Sequence, residues 1–266
     1  MSFSIAGKTA IVTGGGNGIG LAIGRHFAAR GANVMFTDMD EEALVRELGA
    51  TPEDDNIRHF AGDLREKLTI ANLLSATIDA FDRVDILVNA ARQIVASDPL
   101  NPDDDAMETL LETNLMTALR VTQTVAKRMI KQADDTAEGT AGSIVNLSSI
   151  AARRTHPDLL AYSVSCAALD QMTRSLAVAL APHRIRVNAL AFGSVMSASL
   201  MSALKDDDDI RSDIEGHTPL NRIAAAGELA EAAQYLACDA SGFMTGQVIT
   251  VDGGRTLLDP VTVAAH

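Results

Sequence analysis

The chain has 266 residues, 47% of them hydrophobic and 21% charged, with a formal net charge of −13. That length buries a substantial core, the balance is that of a soluble globular protein, and the negative charge excludes nucleic acid or an anionic membrane as an electrostatic partner. Its two cysteines, Cys166 and Cys238, exclude a disulfide framework and point to a reducing, cytoplasmic compartment. The first residues run straight into a strand, with no room for a signal peptide, and no uncharged apolar run approaches membrane-spanning length. Asp103–Asp105 and Asp206–Asp209 read as solvated acidic surface; no metal-loop spacing accompanies them, so no metal is expected.

Thr9–Val12 is an apolar strand that runs into Thr13-Gly-Gly-Gly-Asn-Gly-Ile-Gly20, and a helix follows until Gly31 ends it. A glycine-rich turn between strand and helix lets backbone N–H groups approach a pyrophosphate at the helix N-terminus. Gly14, Gly18 and Gly20 carry the spacing; Ile19 falls where the commoner Gly-x-Gly-x-x-Gly pattern needs its third glycine. Ala32–Phe36 is a second strand, ended by Thr37-Asp38. An acidic residue there accepts hydrogen bonds from adenosine ribose hydroxyls and repels a 2′-phosphate. With no Arg or Lys in Gly14–Gly20, this predicts NAD over NADP. Asp38 also suits the start of the turn into an Asp40–Leu48 helix.

Ile57–Ala61 is a third strand, leading to Asp63-Leu64 and a helix to Phe81. Val84–Val88 is a fourth, ended by Asn89-Ala-Ala-Arg92. A long amphipathic helix spans about Asp105 to Lys131 and contains Asn114, and Asp134–Gly142 is a polar loop. Ile144, Val145 and Leu147 form a fifth strand ending at Ser148 and Ser149. His156-Pro157 disfavours helix, but from Leu159 apolar residues recur at helical spacing: Leu159, Tyr162, Ala167, Leu169, Met172 and Leu176. Arg184–Leu190 is the sixth strand. Val195–Leu204 carries Met196, Leu200, Met201 and Leu204 and reads as a mobile apolar lid. Glu228–Leu236 is a helix and Gln247–Val251 the last strand. Strand and helix alternate with short connections and no linker. The prediction is one α/β domain: a doubly wound parallel sheet with helices on both faces. Ser149 at a strand's carboxyl end and Tyr162 near a helix start then meet where such sheets place ligands, and a hydroxyl and a phenol together hold and protonate a carbonyl oxygen.

These landmarks in this order resemble the short-chain dehydrogenase/reductases, from Lys8 to about Leu257: Thr13-Gly14-x3-Gly18-x-Gly20, Asp38, Asp63-Leu64, Asn89, Asn114, Asn146-Leu-Ser-Ser149, Tyr162, Arg186-Val-Asn188, Gly193 and Thr250-Val-Asp-Gly-Gly254. The resemblance implies a single Rossmann-like domain with a substrate lid at about 194–220. It implies an NAD(H)-dependent oxidoreductase that interconverts a secondary alcohol and a ketone by hydride transfer. Gly14, Asn17, Gly18, Ile19 and Gly20 would bind the pyrophosphate, Asp38 the ribose, and Asp63 and Leu64 the adenine. Asn89, Ala90 and Ala91 would line the nicotinamide side, with Gly193, Ser194 and Val195 at its carboxamide. Ser149 would orient the carbonyl, fitting that role better than Ser148, Tyr162 would be the general acid/base, and Asn114 would organise the proton-relay water. A small-molecule alcohol or ketone is the implied partner, within a homo-oligomer, a tetramer or dimer joined through the two long helices.

Three positions depart from the family pattern. Its Tyr-x-x-x-Lys is Tyr162-Ser-Val-Ser-Cys166, its Asn-Asn-Ala-Gly is Asn89-Ala-Ala-Arg92, and its Pro-Gly is Phe192-Gly193. The family lysine holds the nicotinamide ribose and lowers the tyrosine pKa. An opposite charge shifts a pKa by about 1–3 units, roughly 1.4–4 kcal/mol, so its loss cripples turnover without abolishing it. Arg92, Arg153, Arg154 and His156 are the candidate substitute cations, with Arg92 preferred. Cys166 reads as a small residue filling vacated space. Two readings stay open: an oxidoreductase with an altered tetrad of Asn114, Ser149, Tyr162 and Cys166, or an inactive NAD-binding homologue serving as sensor or partner subunit.

Overall fold

The computed structural model describes residues 3–50, 54–133, 139–196, 200–201, 204 and 208–259. Most of the predicted 134–142 loop and much of the predicted lid lie outside the described residues.

The strands are β1 (Thr9–Thr13), β2 (Asn33–Asp38), β3 (Ile57–Ala61), β4 (Ile86–Asn89), β5 (Gly142–Ser149), β6 (Ile185–Phe192) and β7 (Val248–Val251). The helices are α1 (Gly18–Ala29), α2 (Glu41–Leu48), α3 (Lys67–Phe81), α4 (Ala106–Leu110), α5 (Thr117–Gln132), α6 (Leu160–Leu180), α7 (Asp208–Gly216) and α8 (Ala226–Ala237). The strands form one parallel sheet in the order β3-β2-β1-β4-β5-β6-β7. The chain moves outward from β1 to β3, then returns to place β4 on the other side of β1. This reversal opens a crevice at the carboxyl ends of β1 and β4.

β1, β5 and β6 are buried along their whole length, as parallel strands covered on both faces must be. Side-chain alternation sorts them into two layers. Val12, Val34 and Phe36 face one side with Phe27 of α1 and Leu229 and Leu236 of α8. Ile11, Met35, Leu87, Ile144 and Val187 face the other, with Leu73 of α3, Val125 and Met129 of α5 and Ala177 of α6.

Two predicted elements differ in kind. The helix expected over Asp105–Lys131 is interrupted by a π-helical turn, Leu111–Met116, in which the Thr117 N–H reaches back to the Glu112 carbonyl. Asn114 sits in that turn, and such insertions redirect a side chain without ending the helix. On α6 the apolar periodicity misplaces part of the buried face: Ala167 is exposed, while Ser163, Ser165, Cys166, Asp170 and Thr173 are buried. The reason is polar bonding beneath the helix. Thr173 accepts from Asn146 Nδ2 on β5 at 2.9 Å, and Asn146 Oδ1 accepts from Asn89 Nδ2 on β4 at 2.8 Å, a chain of side chains across the sheet.

Candidate functional site

The glycine-rich turn follows β1 and is shaped by close approach. Gly14 has φ +63°, and a Cβ there would stand 2.8 Å from the Ala91 backbone at the end of β4. A Cβ on Gly20 would collide with the Gly14 carbonyl. The Thr13 hydroxyl accepts from both the Ala90 and Ala91 N–H groups at 3.0 Å, tying the ends of β1 and β4 together; the sequence marked Thr13 as part of the glycine pattern without giving it this role. Beyond the turn a cleft of about 440 Å³ is lined by Gly14, Asn17, Gly18, Ile19, Gly20, Asp38, Asp63, Leu64, Ala90 and Ala91, among others. The first turn of α1 faces it, which suits a bound phosphate.

Asp38 takes up the turn role expected of it, at the edge of the cleft. Its Oδ2 accepts from the Gly16 N–H at 3.0 Å and its Oδ1 from the Asp40 N–H at 3.2 Å, so it braces the glycine turn while its carboxylate borders the cleft. The neighbouring cation, Arg65, also lines the cleft but is held by Asp63 through three side-chain bonds of 2.6–3.0 Å. That hydrogen-bonded pairing lowers the Asp63 carboxyl below the usual carboxylate range.

The other end of the cleft is built differently. Arg92, the first residue past Ala91, lines the cleft and reaches across to β5, β6 and α6. Its Nη1 donates to the Tyr162 hydroxyl at 2.8 Å and lies 3.5 Å from the Ser148 carbonyl oxygen. The guanidinium carbon stands 4.3 Å from the centre of the Phe192 ring and 6.0 Å from that of Tyr162. The stacked guanidinium on Phe192 is a cation–π contact. Of the four candidate cations, only Arg92 meets the phenol. Arg153 donates to the Thr250 hydroxyl, Arg154 to the Thr256 carbonyl oxygen, and His156 Nδ1 accepts from the Asp158 N–H.

Tyr162 is only 3% exposed and Ser149 8%. Burial pushes the phenol up from its ordinary value; the Arg92 charge and the Ser149 hydroxyl pull it down, and Cys166 pushes it up. Cys166 is buried against Tyr162, and burial likewise raises its thiol, keeping it protonated and unreactive. A void of about 10 Å³ separates Arg92, Tyr162, Cys166, Ser165 and Asn114.

Several expected site residues are not among those that line the cleft. Asn89 is turned away from the cleft, its Nδ2 spent on Thr122 and Asn146. The Asn114 side chain borders the small void beside Tyr162 and is bonded elsewhere: it accepts from the Gln93 N–H at 2.8 Å and donates to the Gln93 carbonyl at 2.9 Å and to Ser165 at 3.2 Å. Both backbone groups of Gln93 are thus pinned, which fixes the residue next to Arg92. Gly193 and Val195 do not line the cleft. The Gly193 N–H bonds to Val251, Val195 is bridged to Ala224, and the Ser194 hydroxyl accepts from Arg255 at 3.0 Å. Past Arg92 the cleft is lined by Gln93, Ile94, Thr113, Thr117 and Leu147 instead. A second hollow, of about 960 Å³, lies at the amino ends of the strands; on its walls Lys8 is paired with Asp239 and Arg83 with Asp85, and Arg186 donates to the Ser241 hydroxyl and the Cys238 carbonyl. Among the described residues, no helix is long and apolar enough to cross a membrane.

A family model described as Enoyl-(Acyl carrier protein) reductase matches residues 14–256. An uncharacterized oxidoreductase of Mycobacterium tuberculosis is 32% identical over 257 residues, 96% of this chain and 94% of its own. Oxidoreductase UcpA of Salmonella typhimurium is 33% identical over 267 residues, 97% of this chain and 98% of its own. Among solved structures, a gluconate 5-dehydrogenase from Burkholderia cenocepacia J2315 in complex with NADP and tartrate matches with a TM-score of 0.85 and 30% identity, over 97% of this chain and 98% of that one. A short-chain type dehydrogenase/reductase from Mycobacterium ulcerans matches with a TM-score of 0.85 and 30% identity, over 96% and 91%. The parallel sheet, the glycine turn at its switch point and these relatives agree, and the chain belongs to the short-chain dehydrogenase/reductase family of oxidoreductases.

Proposed function

We propose that this protein is an NAD(H)-dependent oxidoreductase that interconverts a secondary alcohol and a ketone. The observation that carries the reading is the glycine-walled cleft with the Asp38 carboxylate at one end and the Ser149–Tyr162 pair beyond the other. The cradle fits a dinucleotide: Gly14, Gly18 and Gly20 bring bare backbone to the cleft at the first turn of α1, and the close packing at Gly14 and Gly20 holds that backbone in place. Gly14, Asn17, Gly18, Ile19 and Gly20 would hold that pyrophosphate, Asp38 the ribose, Asp63 and Leu64 the adenine, and Ala90 and Ala91 the path toward the nicotinamide. A bound nicotinamide would supply or accept the hydride. Ser149 orients the carbonyl oxygen, and Tyr162 gives it a proton during reduction or takes one from the alcohol during oxidation.

The preference for NAD rests on this chain's own residues, because the Burkholderia structure holds NADP. Asp38 sets a negative charge at the ribose end, and Arg65, the cation there, is already neutralised by Asp63. Segment 194–220 is the proposed lid: Leu204, Ile214 and Ile223 form a small apolar cluster with Met196, Leu200 and Ile210. The proposed setting is a homo-oligomer in the cytoplasm joined through α5 and α6, where Val164 and Val178 are exposed on α6.

One observation favours a second reading, a cofactor-binding homologue without turnover: Tyr162 and Ser149 are closed off from the cleft behind Arg92. Calorimetric titration with NADH and NADPH, followed by NADH oxidation with a panel of ketones, separates the two. Tighter NADH binding with turnover supports the oxidoreductase. Tight binding without turnover on any ketone supports the second reading, and no binding of either nucleotide removes both.

A further inference from the structure

Three side chains that depart from the family pattern, Arg92, Cys166 and Phe192, are in contact around one phenol. Arg92 stacks on Phe192, donates to Tyr162 and acts electrostatically on Cys166, which packs against Tyr162. We propose that Arg92 is the catalytic cation of this enzyme: its guanidinium stabilises the Tyr162 phenolate, a task for which position 166 offers only an uncharged thiol. The proposal rests on the reading of Tyr162 as the acid/base of the reaction.

The surroundings leave Arg92 as the electrostatic control of that phenol. Of the charged groups acting on Tyr162, Arg92 is the one that favours its phenolate, and the side chains clustered with the ring, Ala106 and Leu110 from α4, Ala151 after β5 and Ala161 and Cys166 on α6, are apolar. Ser149 contributes a neutral hydroxyl. In so dry a setting an uncompensated phenolate is costly, and one guanidinium at hydrogen-bond distance becomes the dominant favourable influence. Burial and Cys166 both oppose ionisation, so removing Arg92 leaves only the Ser149 hydroxyl to favour it.

The guanidinium is also held in place. Its backbone neighbour Gln93 is pinned through both N–H and C=O by Asn114, and the guanidinium carbon lies over the Phe192 ring. A proline, the residue that the family pattern has at position 192, would offer no aromatic face. A lysine at position 166 would bring a second cation to the same phenol; cysteine brings none and leaves room for the fork.

Titration of the phenol tests this without any known substrate. The chain has two tyrosines, Tyr162 and Tyr235, and no tryptophan, so phenolate absorbance in the near ultraviolet reports few groups, and Tyr162→Phe identifies the Tyr162 share. In Arg92→Met the Tyr162 midpoint should rise by about 1–3 pH units, the range for an opposite charge at close contact. Arg92→Lys should give a smaller rise. Should Arg92→Met fail to fold, Phe192→Leu, which removes the platform and keeps the cation, should raise the midpoint in the same direction. With a working ketone, Arg92→Met should lower turnover about 10- to 1000-fold, at one decade per pKa unit, and Cys166→Lys should recover activity in that background more than in the natural one.

An unchanged or lowered Tyr162 midpoint in Arg92→Met overturns the proposal, as does a natural protein whose Tyr162 stays protonated up to alkaline unfolding. A rise in turnover on removing Arg92 overturns it too, and makes Arg92 a plug. The phenol titration needs neither nucleotide nor ketone, so it can fail while the oxidoreductase reading survives, and the reverse.

Discussion

The two ends of the cleft are built by different means. At the adenosine end, geometry is written into the backbone: glycines where a Cβ would collide, a threonine hydroxyl binding two N–H groups, and a carboxylate bracing the turn that it borders. At the other end, geometry is written into long side chains: an arginine lying on a phenylalanine and donating to a buried phenol. Backbone sites tolerate little change because every neighbour is fixed. Side-chain sites can be rebuilt by replacing a few residues together, provided that charge and volume stay compensated. Here a cation is absent from one helix position and present on a loop, and the phenol between them keeps a positive partner.

The comparison can be broken at either end. Tyr162→Phe should cost the most, about 10²- to 10⁴-fold in turnover, with NADH affinity unchanged by calorimetry. A parallel loss of NADH binding would mean that the two ends are not separable. Asp38→Ala should weaken NADH binding about 10- to 100-fold, the equivalent of one lost charge-assisted hydrogen bond, and NADPH binding much less. Equal losses would mean that Asp38 acts only as the brace of the glycine turn. Gly14→Ala combines a positive φ with backbone contact and should destabilise the fold by about 1–3 kcal/mol, read from denaturant unfolding.

Arg65→Ala should be the mildest. The Asp63 carboxyl, held low by Arg65, should titrate at a higher pH in the variant, as followed by NMR. A carboxylate with a depressed folded-state pKa stabilises above its unfolded value, near 3.9, and that contribution disappears as pH falls through the folded value. For so exposed a pair solvent screening leaves that contribution small. The natural protein and Arg65→Ala should therefore differ slightly in stability at neutral pH and converge in acid. A difference that persists in acid would assign Arg65 a packing role.

Much of this architecture is legible in the residue pattern. Ile57–Ala61 is a strand with the expected bounds, α3 ends at Phe81, and Tyr162 lies in the first turn of α6. Buried parallel strands leave continuous apolar runs, and tight turns leave glycines. These are local consequences of local chemistry, so one dimension suffices. The π turn at Asn114 leaves no such trace, because Leu111–Met116 holds neither a glycine nor a proline to mark a break in the helix. The buried polar face of α6 escapes periodicity for another reason. Ser165 and Thr173 are satisfied by partners distant in sequence, Asn114 and Asn146.

The sequence by itself determined the parallel α/β sheet, the glycine turn, Asp38 at the cleft and the presence of serine and tyrosine at strand and helix ends. It also marked positions 92, 166 and 192 as unusual, each separately. Only the tertiary structure decided that the three are one unit, and which of four cations reaches the phenol. An arginine's reach exceeds the spacing between neighbouring loops, so its partner is chosen by which acceptors fold within range. Arg153 and Arg154 find theirs on the β7 side, and His156 within its own turn. Arg92 finds Tyr162 because Gln93, pinned by Asn114, and the ring of Phe192 leave its guanidinium that direction.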